Sequence, residues 1–194
     1  MKAHGSERSL AELIEGNARF AAGTSLHPRQ DPERRGEVAE GQHPRAAIVA
    51  CSDSRVPPEI VFDQGLGDLF VVRTAGNIVD DLGVACLEYA AAHLGVPLIV
   101  VMGHSRCGAV TAAVEGGKAP GCLSVILAAL APAVEKAKDR FGDVVDAAAR
   151  ENVKSLVATL EGGEGVLKDL VDRGALRVVG AFYDIERGFV EFIG

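Results

Sequence analysis

Short apolar runs separated by helical patterns are the feature that most restricts what this chain can become: AAIVA (46–50), LFVVR (69–73), PLIVVMG (97–103) and LRVVGAFY (176–183). Runs with no polar alternation must be covered on both faces, which is the condition of strands in a parallel sheet. Between them, DLGVACLEYAAAHLG (81–95), RCGAVTAAVEGG (106–117) and RENVKSLVATL (150–160) repeat at helical spacing. Strands alternating with helices predict an α/β fold with a mostly parallel central sheet flanked by helices. The last long run is followed by DIERG and FVEFI (189–193), which predicts a C-terminal antiparallel edge strand.

The 194 residues are expected to form a single domain across 1–194, enough to bury about 70% of the surface an unfolded chain exposes. Residues 1–40 read as an N-terminal helix and arm, and 41–194 as the α/β core. Leu10, Leu13, Ile14 and Asn17 share one helical face, with Ser9 and Glu12 spaced as a capping box. The stretch 27–45 is polar and broken by prolines, so it reads as an exposed connection that lets the helix dock at a distance, on a second subunit as one option. Lys and Arg number 20 against 27 Asp and Glu, a net charge of −7. That balance lacks the basic footprint required by nucleic acid or an anionic membrane. No apolar run approaches the roughly 20 residues of a membrane span, and Met1 to Glu15 has no apolar signal core, so the expected location is cytoplasmic. Four cysteines are too few for a disulfide scaffold.

In open parallel sheets, ligands bind beyond the carboxyl ends of the strands. Cys51-Ser52-Asp53-Ser54-Arg55 follows the first run, Thr74-Ala75-Gly76-Asn77 the second and His104-Ser105-Arg106-Cys107-Gly108 the third. If the first and third strands are neighbours, Cys51, His104 and Cys107 converge at one rim. Two thiolates and an imidazole can hold zinc tetrahedrally with a fourth position open. The plainer alternative is two buried cysteines packed as small apolar groups beside a hydrogen-bonded core histidine. An extended run from Cys51 places Cys51, Asp53 and Arg55 on one side, with Arg55 able to hold the Asp53 carboxylate by two parallel hydrogen bonds. Asp53 then either accepts a hydrogen bond at the metal or becomes its fourth ligand, the alternative being a simple surface ion pair. Tyr89 and His93, four apart on a helix, share a face and form either a proton relay or a packed interface.

CSDSRVPPE (51–59), LFVVRTAGN (69–77) and HSRCGAV (104–110) together resemble the β-class carbonic anhydrases. The resemblance runs from about Gly41 to the end of the VVGAFYD strand. It implies Cys51, His104 and Cys107 as ligands of one Zn2+ per chain and Asp53 with Arg55 as the catalytic dyad. It also implies Gln42, Phe70 and Tyr89 as substrate contacts, and homodimers or homotetramers with active sites at subunit interfaces. Gly108 and the amides opening the following helix are expected to stabilise developing negative charge. The implied reaction is reversible hydration of CO2 to bicarbonate and a proton by zinc-bound hydroxide. Two thiolate ligands make the metal a weaker acid, which favours alkaline pH. Ile48 stands where some allosteric members carry Trp, so their inhibitory bicarbonate pocket is not implied. A CS2 or carbonyl sulfide hydrolase on the same fold, or a non-catalytic zinc-binding module, are the alternatives.

Overall fold

The computed structural model describes residues 3–117 and 119–193. The chain begins with α1 (Ala3–Ala21) and α2 (Pro32–Val38), then β1 (Ala46–Cys51), α3 (Pro58–Val61) and β2 (Leu69–Thr74). α4 (Asp81–Glu88) runs into a π-helical turn at Tyr89–His93, followed by β3 (Leu98–His104) and α5 (Gly108–Glu115). α6 (Leu123–Ala137), α7 (Val144–Gly162), α8 (Val166–Asp172), β4 (Arg177–Asp184) and β5 (Phe189–Ile193) complete it. The strand order is β2-β1-β3-β4-β5, with the first four parallel and β5 antiparallel to β4. The expected architecture is therefore present, with the apolar runs as strands to within one residue at either end.

β1 and β3 are buried along their whole length because both faces are covered. Ile48, Ala50, Val100 and Met102 meet Leu13 and Phe62 on one face, while Ala47, Val49, Ile99 and Val101 meet Leu87, Val153 and Leu167 on the other. The connection from β1 leads outward to β2, whereas that from β3 leads the other way to β4. The gap between β1 and β3 is thus the switch point at which a doubly wound sheet opens a crevice.

α7 lies unusually close to the sheet. A Cβ on Gly103 would meet Val153 Cγ2 at 2.8 Å, and one on Gly180 would meet Val153 Cγ1 at 2.9 Å. Two adjacent strands each omit a side chain so that one valine can seat between them.

Three expectations at the N-terminus and in the middle are corrected. Ser9 and Glu12 do not cap α1, which already runs through them; Ser9 Oγ donates to the Arg45 carbonyl and Glu12 pairs with Arg8 and Arg45. α1 docks on its own chain through Leu13, Leu10 and Asn17, while Ile14 of the same face stays 48% exposed; buried Asn17 donates to the Val61 and Gly188 carbonyls and accepts from the Val190 amide. The following arm is exposed at α2, as expected, yet is stapled to the core. Asp63 accepts the amides of Leu26 and His27 and the Arg19 guanidinium, and Asp68 accepts Arg29 Nε at 2.6 Å. Finally, 123–137 is a helix that periodicity did not mark, packing Leu130, Ala133 and Ala137 inward.

Candidate metal centre

Cys51 closes β1, His104 closes β3, and Cys107 stands immediately before α5. Strand register brings the first two level, since Ala50 lies opposite Met102 and each ligand follows within two residues. The turn Ser105-Arg106 then carries the chain back to Cys107, with Arg106 in the left-handed region at φ 54°. All three side chains are buried, and their ligand atoms lie within 4.8 Å of one another.

The chemistry of this cluster fits a metal ion. The sulfurs of Cys51 and Cys107 are 3.9 Å apart. Two thiolates at zinc–sulfur distances near 2.3 Å on tetrahedral corners stand about 3.8 Å apart. His104 Nδ1 donates to the Ser105 carbonyl at 2.9 Å, which fixes the proton on that nitrogen. Its Nε2 is buried without a hydrogen-bond partner. An orphaned buried nitrogen is costly, on the order of 1–3 kcal/mol, unless something absent from the protein chain satisfies it.

The Cys51 sulfur is served by backbone amides: Sγ accepts the Asp53 amide at 3.4 Å and the Gly76 amide at 3.3 Å. Cys107 precedes α5 without a side-chain cap hydrogen bond. The facing Cys107 side chain draws the Cys51 thiol down against burial, helped by the amides of Asp53 and Gly76. Cys107 is pushed up by the facing Cys51 sulfur and by burial.

Asp53 and Arg55 pair as expected, but by a tighter route than an extended strand. The chain turns after Asp53, whose carbonyl accepts the Val56 amide at 3.0 Å. Arg55 therefore folds back, donating Nε to Asp53 Oδ1 at 2.9 Å and Nη2 to Oδ2 at 2.7 Å, while its own amide also reaches Oδ1. This grip holds the Asp53 carboxyl down at about 2, against a smaller opposing effect of burial. Arg73 on β2 secures the same loop from beneath, donating to the carbonyls of Cys51 at 2.9 Å and Asp53 at 2.6 Å.

The remaining expected residues divide in two. Gly108 is the first residue of α5 and exposed beside Cys107. Gln42, Phe70, Tyr89 and His93 are not gathered at this rim within the chain. Gln42 precedes β1, at the end opposite Cys51, and Phe70 pairs with Ala47 near the same end. Phe70 and Tyr89 have ring centroids 6.2 Å apart, and Tyr89 stacks on His93 at 4.9 Å, which bears out the shared face. Tyr89 is nearly half exposed, at 46%. Gly76 and Ser105 fall in the strand-end segments read from the sequence, but their roles, and Arg73 altogether, escaped sequence reasoning. Their contributions are backbone amides, carbonyl contacts and a carbonyl acceptor, which side-chain chemistry does not advertise.

No helix of the described residues is long and apolar enough to cross a membrane. The profile of the family described as Carbonic anhydrase matches residues 46–190. "Carbonic anhydrase 2" of Mycobacterium tuberculosis strain H37Rv is 42% identical over 180 residues, covering 91% of this chain and 87% of that protein. "Carbonic anhydrase" of Mycolicibacterium smegmatis is 42% identical over 183 residues, covering 92% and 89%. Among solved structures, a tetrameric β-carbonic anhydrase of Sordaria macrospora superposes with a TM-score of 0.78 at 29% identity, covering 96% of this chain and 98% of that one. A Coccomyxa β-carbonic anhydrase in complex with acetazolamide gives 0.73 at 30% identity, covering 94% and 85%.

Proposed function

The chain belongs to the β class of the carbonic anhydrase family, and from that membership we propose that it reversibly hydrates CO2 to bicarbonate and a proton with one zinc ion per chain held by Cys51, His104 and Cys107. The observation that carries the reading is the bare His104 Nε2 facing two thiol sulfurs in a buried ring of ligand atoms. Zinc held there would supply the Lewis acidity that brings a water molecule's pKa down towards neutrality.

The chain's own residues perform the rest. Asp53, ionised at every working pH, accepts a hydrogen bond from the attacking water and so fixes which lone pair faces CO2. Arg55 keeps that carboxylate oriented by its two-pronged grip. The exposed start of α5 at Gly108 presents a helix N-terminus to the negative charge that develops on the substrate oxygens. The N–H groups of Asp53 and Gly76 withdraw charge from the Cys51 sulfur.

A substrate pocket needs walls, and those expected from Gln42, Phe70 and Tyr89 lie away from the rim in one chain. We assign them to the site of a second copy, within a homodimer or homotetramer. Gln42 and Tyr89 are exposed, and Phe70 lies half-buried on the edge strand β2, which supports that assignment. His93, stacked on Tyr89, extends the same wall and passes the proton outward. Cys51 and Cys107 must be reduced to bind an ion, which fits the cytoplasm.

The test is the initial rate of CO2 hydration by zinc-loaded protein, followed by stopped flow from neutral to alkaline pH. A fast, zinc-dependent rate that rises with pH is expected. No rate above buffer with one zinc per chain bound would overturn the reading and direct the assay to CS2 and carbonyl sulfide. Mixing a Cys51→Ser variant with a Gln42→Ala variant checks the shared site, since subunit exchange should restore part of the activity each lacks.

A further inference from the structure

The turn that follows β2 reaches the Cys51 sulfur through a single backbone amide, that of Gly76. This turn is conformationally demanding, because Gly76 at φ 70° is followed by Asn77 at φ 46°, two successive left-handed residues of which only the first is glycine. It has little room to relax, since a Cβ on Gly76 would come within 3.1 Å of Leu130 Cδ1. Within the turn, Thr74 Oγ1 donates to the Ile78 carbonyl. From outside, Asn152 on α7 donates Nδ2 to the Gly76 carbonyl at 3.0 Å, across 76 positions of sequence. Asn152 is next to Val153, the residue seated over Gly103 and Gly180, so α7 has a fixed height above the sheet at this point.

We propose that Asn152 is a positioning residue of the metal centre: it holds Gly76 so that its amide stays on the Cys51 sulfur, and thereby lowers the charge this ligand gives to the ion. The inference rests on the reading of Cys51, His104 and Cys107 as a metal site. Its logic is general. Partners beyond the ligands tune a metal's affinity and electronics, and their loss typically weakens binding by about 10- to 100-fold. A thiolate stripped of one of two N–H donors carries more charge, so less energy is needed to move an electron from sulfur to a bound cobalt ion.

The experiment compares wild type with Asn152→Ala, each loaded with Co2+ in place of zinc. It reads the thiolate-to-cobalt charge-transfer band, and separately the zinc affinity by competition with a chromophoric chelator. Thermal unfolding is followed in parallel. In the folded variant the band is expected to move to longer wavelength and zinc to bind at least about tenfold more weakly. A variant that only loses stability, with band position and zinc affinity unchanged, overturns the proposal. Should truncation unfold the chain, Asn152→Leu keeps the volume without the donor and is judged by the same two readouts. A wild type with no charge-transfer band at all would instead remove the metal site, and with it this inference.

Discussion

Arg55 Nη2 donates to the Arg106 carbonyl at 3.2 Å, so the guanidinium that grips Asp53 is also fastened to the turn between His104 and Cys107. One side chain thus sets the carboxylate relative to two ligands. Arg55→Lys should fail at this task, because an ammonium cannot span both Asp53 oxygens and the carbonyl in a fixed fork. Turnover is expected to fall about 10- to 100-fold with zinc content unchanged, as measured by stopped flow beside metal analysis.

Removing the carboxylate should be more severe. Asp53→Ala is expected to lose about 10²- to 10⁴-fold in turnover while keeping one zinc per chain. If that variant released its zinc while the wild type showed no hydration to lose, Asp53 would be a structural ligand.

Acid stability follows from the carboxyls whose affinity for protons is lower folded than unfolded. Asp63 is one: burial pushes it up, but Arg19 and the amides of Leu26 and His27 win, and the net shift is downward. A depressed folded pKa adds stability that is fully present above the unfolded value of about 3.9 and is lost as pH falls through the folded one. Melting temperature should therefore drop on acidification below about pH 4, with Asp53 protonating near 2. Asp63→Asn should flatten that acid limb and cost about 1.5–3 kcal/mol at neutral pH, readable by urea denaturation.

Packing gives a fourth test. Gly103→Ala pushes a methyl into Val153, 2.8 Å away, and should destabilise by about 1–3 kcal/mol. Combining it with Val153→Ala should recover much of that loss, a coupling that a double-mutant cycle in urea would measure.

The cluster of Cys51, His104 and Cys107 was legible in the sequence because its members sit at or just past strand ends, and strands buried on both faces announce themselves as apolar runs. Knowing where β1 and β3 stop located Cys51 and His104, and a three-residue step supplied Cys107. The Asp53–Arg55 pair was legible as a pair but not in its geometry, since the turn after Asp53 is made by its own backbone and carboxylate. α6 escaped because its first half is apolar nearly all round and Pro132 interrupts any helical reading. Asn152 carried no signal at all. A carboxamide on a helix 76 positions from its acceptor is specified only by how α7 sits on the sheet.

Cys51, His104 and Cys107 are held by elements that have their own reasons to form: β1 and β3 by a two-faced core, and the start of α5 by the turn that precedes it. On the proposed reading, a cluster set by strand register would meet its ion already gathered, and the choice of ion would pass from folding to supply. Affinities at such sites follow the general order of first-row metals, with copper above zinc. On that reading, the ion held in a cell would follow which one is freely available when the folded chain meets it.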